Sequence, residues 1–162
     1  MVDENILDLI QTQKSLFLAT LDPQGMPFAS TTPFAVTADG LQFIVLLSDL
    51  SAHGLHLMEN PVASVLICRD EANTSQLFAR NRMQLSVTAQ HVTDLDQRSN
   101  LMSIMQSRHG AVIEMLSSLP DFRLFLLQPN QARYVEGFGK AFTKSSFESM
   151  QAIHEGFTAR SS

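Results

Sequence analysis

Residues 15–36, SLFLATLDPQGMPFASTTPFAV, hold two alternating apolar runs with only a short turn segment, Asp22-Pro23-Gln24-Gly25, between them. A connection that short cannot carry a crossover, so the two runs must fold back on each other as an antiparallel hairpin. The same economy recurs along the chain. Ala38-Asp39-Gly40 leads into LQFIVLLS as a third strand, SAHGLHLMENP has the length of a connecting helix ending at Asn60-Pro61, and VASVLIC supplies a buried fourth strand. A parallel βαβ architecture is therefore disfavoured, and the expected class is mainly β with helices (α+β), an antiparallel sheet closed or split as a barrel.

The rest of the chain fills in that frame. Ile6, Leu9, Ile10 and Gln13 predict a short opening helix, and after the polar loop RDEANTSQ residues 78 to 92 alternate as a long fifth strand. Thr93 is the expected N-cap of a helical region over 94–118, with apolar positions Leu101, Ile104, Met105, Val112, Ile113 and Leu116, divided at Gly110. The segments DFRLFLLQP and ARYVEGFGKAF return to strands, and Ser145 and Glu148 in SSFESMQAIHEGF have capping-box spacing for a closing helix. Gly137 and Gly139 flank Phe138 where strand residues would pack better. A bulge at a barrel corner, a flat cofactor, or a partner chain lying close would each explain them.

A chain of 162 residues that is 44% hydrophobic has enough apolar mass for a core, and one domain over residues 1–162 is expected, with the barrel at about 14–142 and a helix or tail at 143–162. The net charge of -5 and the lack of a basic run argue against nucleic acid as a partner. Cys68, in the apolar run PVASVLICRD, reads as a buried thiol. The longest uninterrupted apolar stretch is FIVLL, so no membrane partner is expected and the chain reads as cytoplasmic. No G-x-S-x-G elbow, H-E-x-x-H helix, phosphate-binding loop or dinucleotide G-x-G-x-x-G is present.

In order, LATLDPQGMPFASTTPF, LSDLSAHGLHLMENPVASVLI, QLFARNRMQL and LPDFRLFLLQPNQARYVEGFGKAF, with a helix inserted between the last two, resemble the FMN-binding split barrels related to pyridoxamine 5'-phosphate oxidase. The closer likeness is to their haem-utilisation branch, the HugZ/HutZ-type haem-degrading proteins. It runs from about Lys14 to about Phe142 and rests on the order and spacing of the motifs more than on any one of them. The resemblance implies a split barrel, a homodimer with cofactor clefts between subunits, and either haem or FMN as cofactor. An FMN phosphate needs fixed cations or a cluster of N–H donors. The second strand, MPFASTTPFAV, has no Arg or Lys, and the loop LSDLSAHG offers hydroxyls, Ser48 among them, and His53 beside the acidic Asp49. That loss of basic residues favours the haem branch.

Haem asks for an axial ligand, an apolar slot and cations for its propionates. The resemblance implies a proximal histidine beyond the last strand, donated across the dimer, and His154 is the histidine of that segment. In the family the histidine follows a Glu-Gly pair, whereas here Phe157 follows Glu155-Gly156 and His154 precedes it, so iron ligand and tail residue stand side by side as readings. Asp121 matches the aspartate that accepts a hydrogen bond from the other subunit's proximal histidine, its alternative being a strand-start aspartate after Pro120. Arg82 matches the arginine on the distal side of the haem, and Arg80 shares its face if the segment is a strand, a solvated outer face being the alternative. His53 stands where the family also has histidine, with helix capping or a surface place as the other reading. His56 and His91 read as structural or surface residues, and His109 as a helix-terminus residue favouring the dipole. Three functions follow: haem degradation, with haem as cofactor and substrate and an external electron donor; an FMN-dependent oxidoreductase; and a non-catalytic haem carrier.

Overall fold

The structure, a computed structural model, describes residues 4–40, 42–137 and 140–145. Its elements are α1 (Glu4–Thr12), β1 (Ser15–Leu21), β2 (Pro27–Val36), β3 (Phe43–Ser48), α2 (Ala52–Glu59), β4 (Val62–Cys68), β5 (Arg82–His91), α3 (Leu95–His109), α4 (Val112–Ser117), β6 (Phe122–Gly137) and β7 (Lys140–Ser145). The expected hairpin forms because Asp22 Oδ1 accepts the backbone N–H groups of Gln24 and Met26, at 2.9 and 2.8 Å, while Gly25 takes φ 77°. β1 and β2 then pair in register from Ser15 opposite Pro33 to Leu21 opposite Pro27.

The strands run in the order β3-β2-β1-β4-β5-β6-β7, and a further pairing of β3 with β6 closes β1 to β6 into an antiparallel barrel. β6 makes closure possible because it is 16 residues long. Its first half pairs with β3 from Phe122 to Leu127, most of its length pairs with β5, and its last third pairs with β7. Inside lie Leu16 and Leu18 of β1, Phe34 of β2, Phe43 of β3 and Phe125 of β6, all at most 1% exposed, with Leu9 and Ile10 of α1 plugging one end. A second cluster joins Ile44, Leu124 and Leu126 on the other face of β3 and β6 to Leu101 and Met105 of α3 and Ile113 of α4. The inserted helices thus cover the β3/β6 seam.

Several details differ from the sequence expectation. The segment from 122 to 137 is one strand instead of two. The fifth strand starts at Arg82, because Leu77–Ala79 is a 3-10 turn in which the Gln76 side chain accepts the Phe78 N–H. Asp94, not Thr93, caps α3, its carboxylate accepting the Gln97 N–H at 2.8 Å. Gly110, at φ 83°, divides the two helices as expected. At Gly137 an added Cβ would meet nothing within 4 Å, so no close approach demands glycine there. The β6/β7 register shifts between Val135 and Gly137, which favours the bulge reading. Ser145 ends β7, and Glu148, Gly139 and His154 lie outside the described residues. Among the described residues no helix is long and apolar enough to cross a membrane.

Candidate functional site

The polar side chains that matter here lie at two ends of the barrel and on one outer face, among the described residues. At the end capped by α2, β3 finishes beside the start of β6, with Ser48 opposite Phe122. Just beyond the last pair, the Ser48 hydroxyl donates to Asp121 Oδ2 at 2.5 Å and accepts the Leu50 N–H at 3.0 Å. The Asp49 N–H donates to the Asp121 carbonyl at 2.8 Å, so the two loops are clasped through both side chain and backbone. Asp121 Oδ1 has no partner among the described residues.

A second carboxylate stands next to the first under different conditions. Arg123 Nε donates to Asp49 Oδ1 at 2.6 Å, and that hydrogen bond holds the Asp49 carboxyl below the usual carboxylate range while raising the guanidinium. His91, at the same end of β5, is pushed below the ordinary imidazole value, first by burial and then by the Arg123 charge; its ring lies 5.4 Å from that of Phe125.

α2 is seated on this end by Gly54. A Cβ there would sit 2.5 Å from the Ser48 carbonyl oxygen, which also accepts the Ser51 hydroxyl at 2.5 Å. The helix then delivers two histidines to the inner side of the β1/β2 hairpin. His53 Nδ1 meets Ser30 Oγ at 2.7 Å, and His56 Nδ1 meets Thr20 Oγ1 at 2.9 Å, with its ring edge-on to Phe28 at 5.3 Å. Burial and the neighbouring His56 lower the His53 pKa. Both histidines have one ring nitrogen fixed by a hydroxyl; for His53 this replaces helix capping and surface exposure as its structural role.

The arginines gather at the opposite end, near α1. Arg82 opens β5 opposite Cys68 and Val135, and its Nη1 donates to the Arg80 carbonyl at 2.9 Å. Arg80 does not share its strand face, because it ends the 3-10 turn instead of lying in β5. It donates from Nε to the Arg69 carbonyl at 2.5 Å and pairs with Glu71 at 3.5 Å, while Arg69 is itself paired with Asp8 of α1. Cys68 is buried here with its thiol pKa raised, first by desolvation, so it is inert. His109 ends α3 as expected; its Nε2 donates to the Phe34 carbonyl at 2.7 Å, and burial lowers its pKa against that hydrogen bond.

Between the ends, the outward faces of β1, β4, β5 and β6 form a shallow trough. Two hollows of about 310 and 330 Å³ meet at Ser64 and Ser86, the first bounded by Ala19, Leu21, Pro27 and Val62, the second by Gln84, Gln131 and Arg133. Arg82 projects to this outer face, since it alternates with the buried Met83 and Leu85. Neither Arg82 nor Arg133 has a carboxylate partner among the described residues. The structure therefore brings Ser48 and Asp121 together, holds His53 of α2 on Ser30 of β2, and places Arg80 and Arg82 at the far end. Sequence reading missed Arg133, the Asp49–Arg123 pair and the surroundings of His91; the alternation of β5 and β6 was the available signal for Arg133.

Comparison with known proteins narrows the chemistry. A family model described as pyridoxamine 5'-phosphate oxidase matches residues 2–136. Over 154 residues the chain is 36% identical to the haem oxygenase HutZ of Vibrio cholerae, covering 94% of this chain and 86% of that protein. It is 32% identical over 122 residues to the chloroplastic non-canonical haem oxygenase HOZ of Arabidopsis thaliana, covering 75% of this chain and 36% of that protein. The crystal structure of HutZ from Vibrio cholerae, described as a haem storage protein, superposes with a TM-score of 0.76 at 35% identity, covering 88% of this chain and 94% of that one.

Proposed function

Because this chain belongs to the pyridoxamine 5'-phosphate oxidase family, with a split barrel similar to that of HutZ, we propose that it binds haem between two copies of itself and degrades it in an oxygen-dependent reaction. The observation that carries the reading is the state of Asp121: one carboxylate oxygen is held by the neutral Ser48 hydroxyl and the other has no partner among the described residues. A carboxylate so held is oriented, with its second oxygen open to an N–H donor. That is what the aspartate behind a metal-bound imidazole must do to fix its tautomer and raise its basicity.

The other residues fit the same group. Arg82 and Arg133 offer guanidiniums free of carboxylate partners among the described residues, suited to propionates, and Phe17 and Val62, each about half exposed, supply apolar surface on the trough face. When bound, haem supplies both the iron at which oxygen is activated and the ring that is opened. In this scheme the partner's His154 would hold the iron, Asp121 would accept from that imidazole, Arg82 would supply a cation to the bound group, and reductant would come from outside. The small side chains Ala19, Ser64 and Ser86 let a second copy approach the trough closely.

Parallel titrations of the purified protein with haem and with FMN test the reading. A Soret band that bleaches with reductant and oxygen is expected. A stable haem complex would indicate a carrier, and a bound flavin spectrum with no Soret band would move the chain to flavin chemistry.

A further inference from the structure

The loop clasp assigns a task to Ser48. Ser48 and Asp121 are 73 residues apart in sequence and meet at 2.5 Å. The hydroxyl is itself oriented, because its oxygen accepts the Leu50 N–H at 3.0 Å and this leaves its proton to point at Asp121. The backbone of Asp121 is fixed separately, by the Asp49 N–H on its carbonyl at 2.8 Å. Both ends of the aspartate are thus fixed: the main chain by one strand-like bond, the carboxylate by another.

The donor's identity matters as much as its position. A cation on Oδ2 would draw charge from the carboxylate and weaken Oδ1 as an acceptor, as Arg123 does to Asp49 alongside. A neutral hydroxyl orients the group and leaves most of its charge available. We propose that Ser48 is the positioning residue of Asp121, setting the carboxylate so that Oδ1 faces the haem-ligating imidazole. This rests on the haem reading above.

The test uses the iron–imidazole stretching band of the ferrous haem complex of the full chain, which reports the strength of the imidazole's outer hydrogen bond independently of turnover. The parent is compared with Asp121→Asn, Ser48→Ala, and the near-isosteric pair Ser48→Thr and Ser48→Val. Asp121→Asn is expected to lower the band. Ser48→Ala and Ser48→Val are expected to lower it in the same direction or to split it, as the carboxylate loses its fixed orientation, while Ser48→Thr, which keeps the hydroxyl, is expected to restore the parent position. Should Ser48→Ala and Ser48→Val leave the band where the parent has it while Asp121→Asn moves it, the role of Ser48 is overturned and that of Asp121 stands. A Ser48→Thr band displaced like that of Ser48→Val overturns it too, since the hydroxyl is then not the cause. If Asp121→Asn itself leaves the band unmoved, the haem reading of Asp121 has failed and the role of Ser48 falls with it.

Discussion

Two variants, each defective alone, should restore activity to one another when mixed. Arg82 lies opposite Val135 and His91 opposite Phe125 in the same pair of strands, so nine steps of about 3.3 Å put roughly 30 Å of strand between the arginine and the end of the barrel that holds Asp121. Arg82 and Asp121 of one copy lie toward different ends of the barrel, and the proposed dimer assigns them to different macrocycles. In the proposed dimer each haem takes Arg82 from one subunit and Asp121 from the other. Homodimers of Arg82→Ala then lack the arginine in both sites, and homodimers of Asp121→Asn lack the carboxylate in both. A mixed dimer has one site that lacks both and one that lacks neither. Random assortment makes half the dimers mixed, so recovery should approach about a quarter of the parent rate per subunit. Co-expression with two different affinity tags, sequential purification and a haem-bleaching assay with reductant and oxygen would measure it, and the doubly tagged fraction should approach about half the parent rate. A mixed fraction no faster than the mean of the two homodimers would refute the shared site, and a chain that sediments as a monomer at assay concentration would refute the dimer.

Three further outcomes follow from contacts away from that site. Arg108 Nη2 donates to the carbonyls of Ile10 and Gln13, at 2.7 and 2.6 Å, and the guanidinium lies 4.9 Å over the Phe34 ring; Arg108→Leu should cost about 2 kcal/mol or more in a urea melt, because it leaves carbonyls at the end of α1 without donors. Gly54→Ala should cost about 1–3 kcal/mol, since its Cβ would sit 2.5 Å from a backbone oxygen that cannot easily give way, and the same variant should loosen Ser48, read as a weaker haem affinity in titration. His53, His91 and His109 all have pKa values below the ordinary imidazole value of 6.5, so the unfolded chain binds more protons than the folded one in acid. Their contribution is intact above about pH 6.5 and is lost as the pH falls through their folded values; thermal melts should weaken between pH 7.5 and 5.5, and less so in His109→Gln.

The legible parts of the fold were those decided locally. Asp22 and Gly25 contain their own turn chemistry, so the β1/β2 hairpin could be read without knowing what surrounds it. Pro129 was misread as a strand end because proline cannot donate to a ladder. It lies at the register shift opposite Val87, where the β5/β6 ladder is already irregular, and β6 runs through it. The alternation of FARNR imitates a strand, yet the Gln76 side chain turns the chain at Phe78 and removes Arg80 from the face of Arg82. Thr93 and Asp94 are both competent caps, and the carboxylate has the added attraction of the helix N-terminus. In the site, Asp121, Arg82 and His53 were visible through family likeness alone. No spacing rule joins Ser48 to Asp121, because barrel closure by β3 and β6 is what brings them together.

Closure also explains why two adjacent carboxylates have different chemistry. β3 and β6 pair with Leu47 opposite Arg123 and Ser48 opposite Phe122, so the residues just past the last rung, Asp49 and Asp121, emerge side by side. Arg123 binds Asp49, whose carboxylate is thereby fixed, with its pKa held low by that hydrogen bond. Asp121 is left with a neutral donor on one oxygen and none, among the described residues, on the other. One carboxylate is committed to a guanidinium while its neighbour keeps an oxygen without a partner among the described residues, and the division follows from which of the two the strand register sets within reach of Arg123.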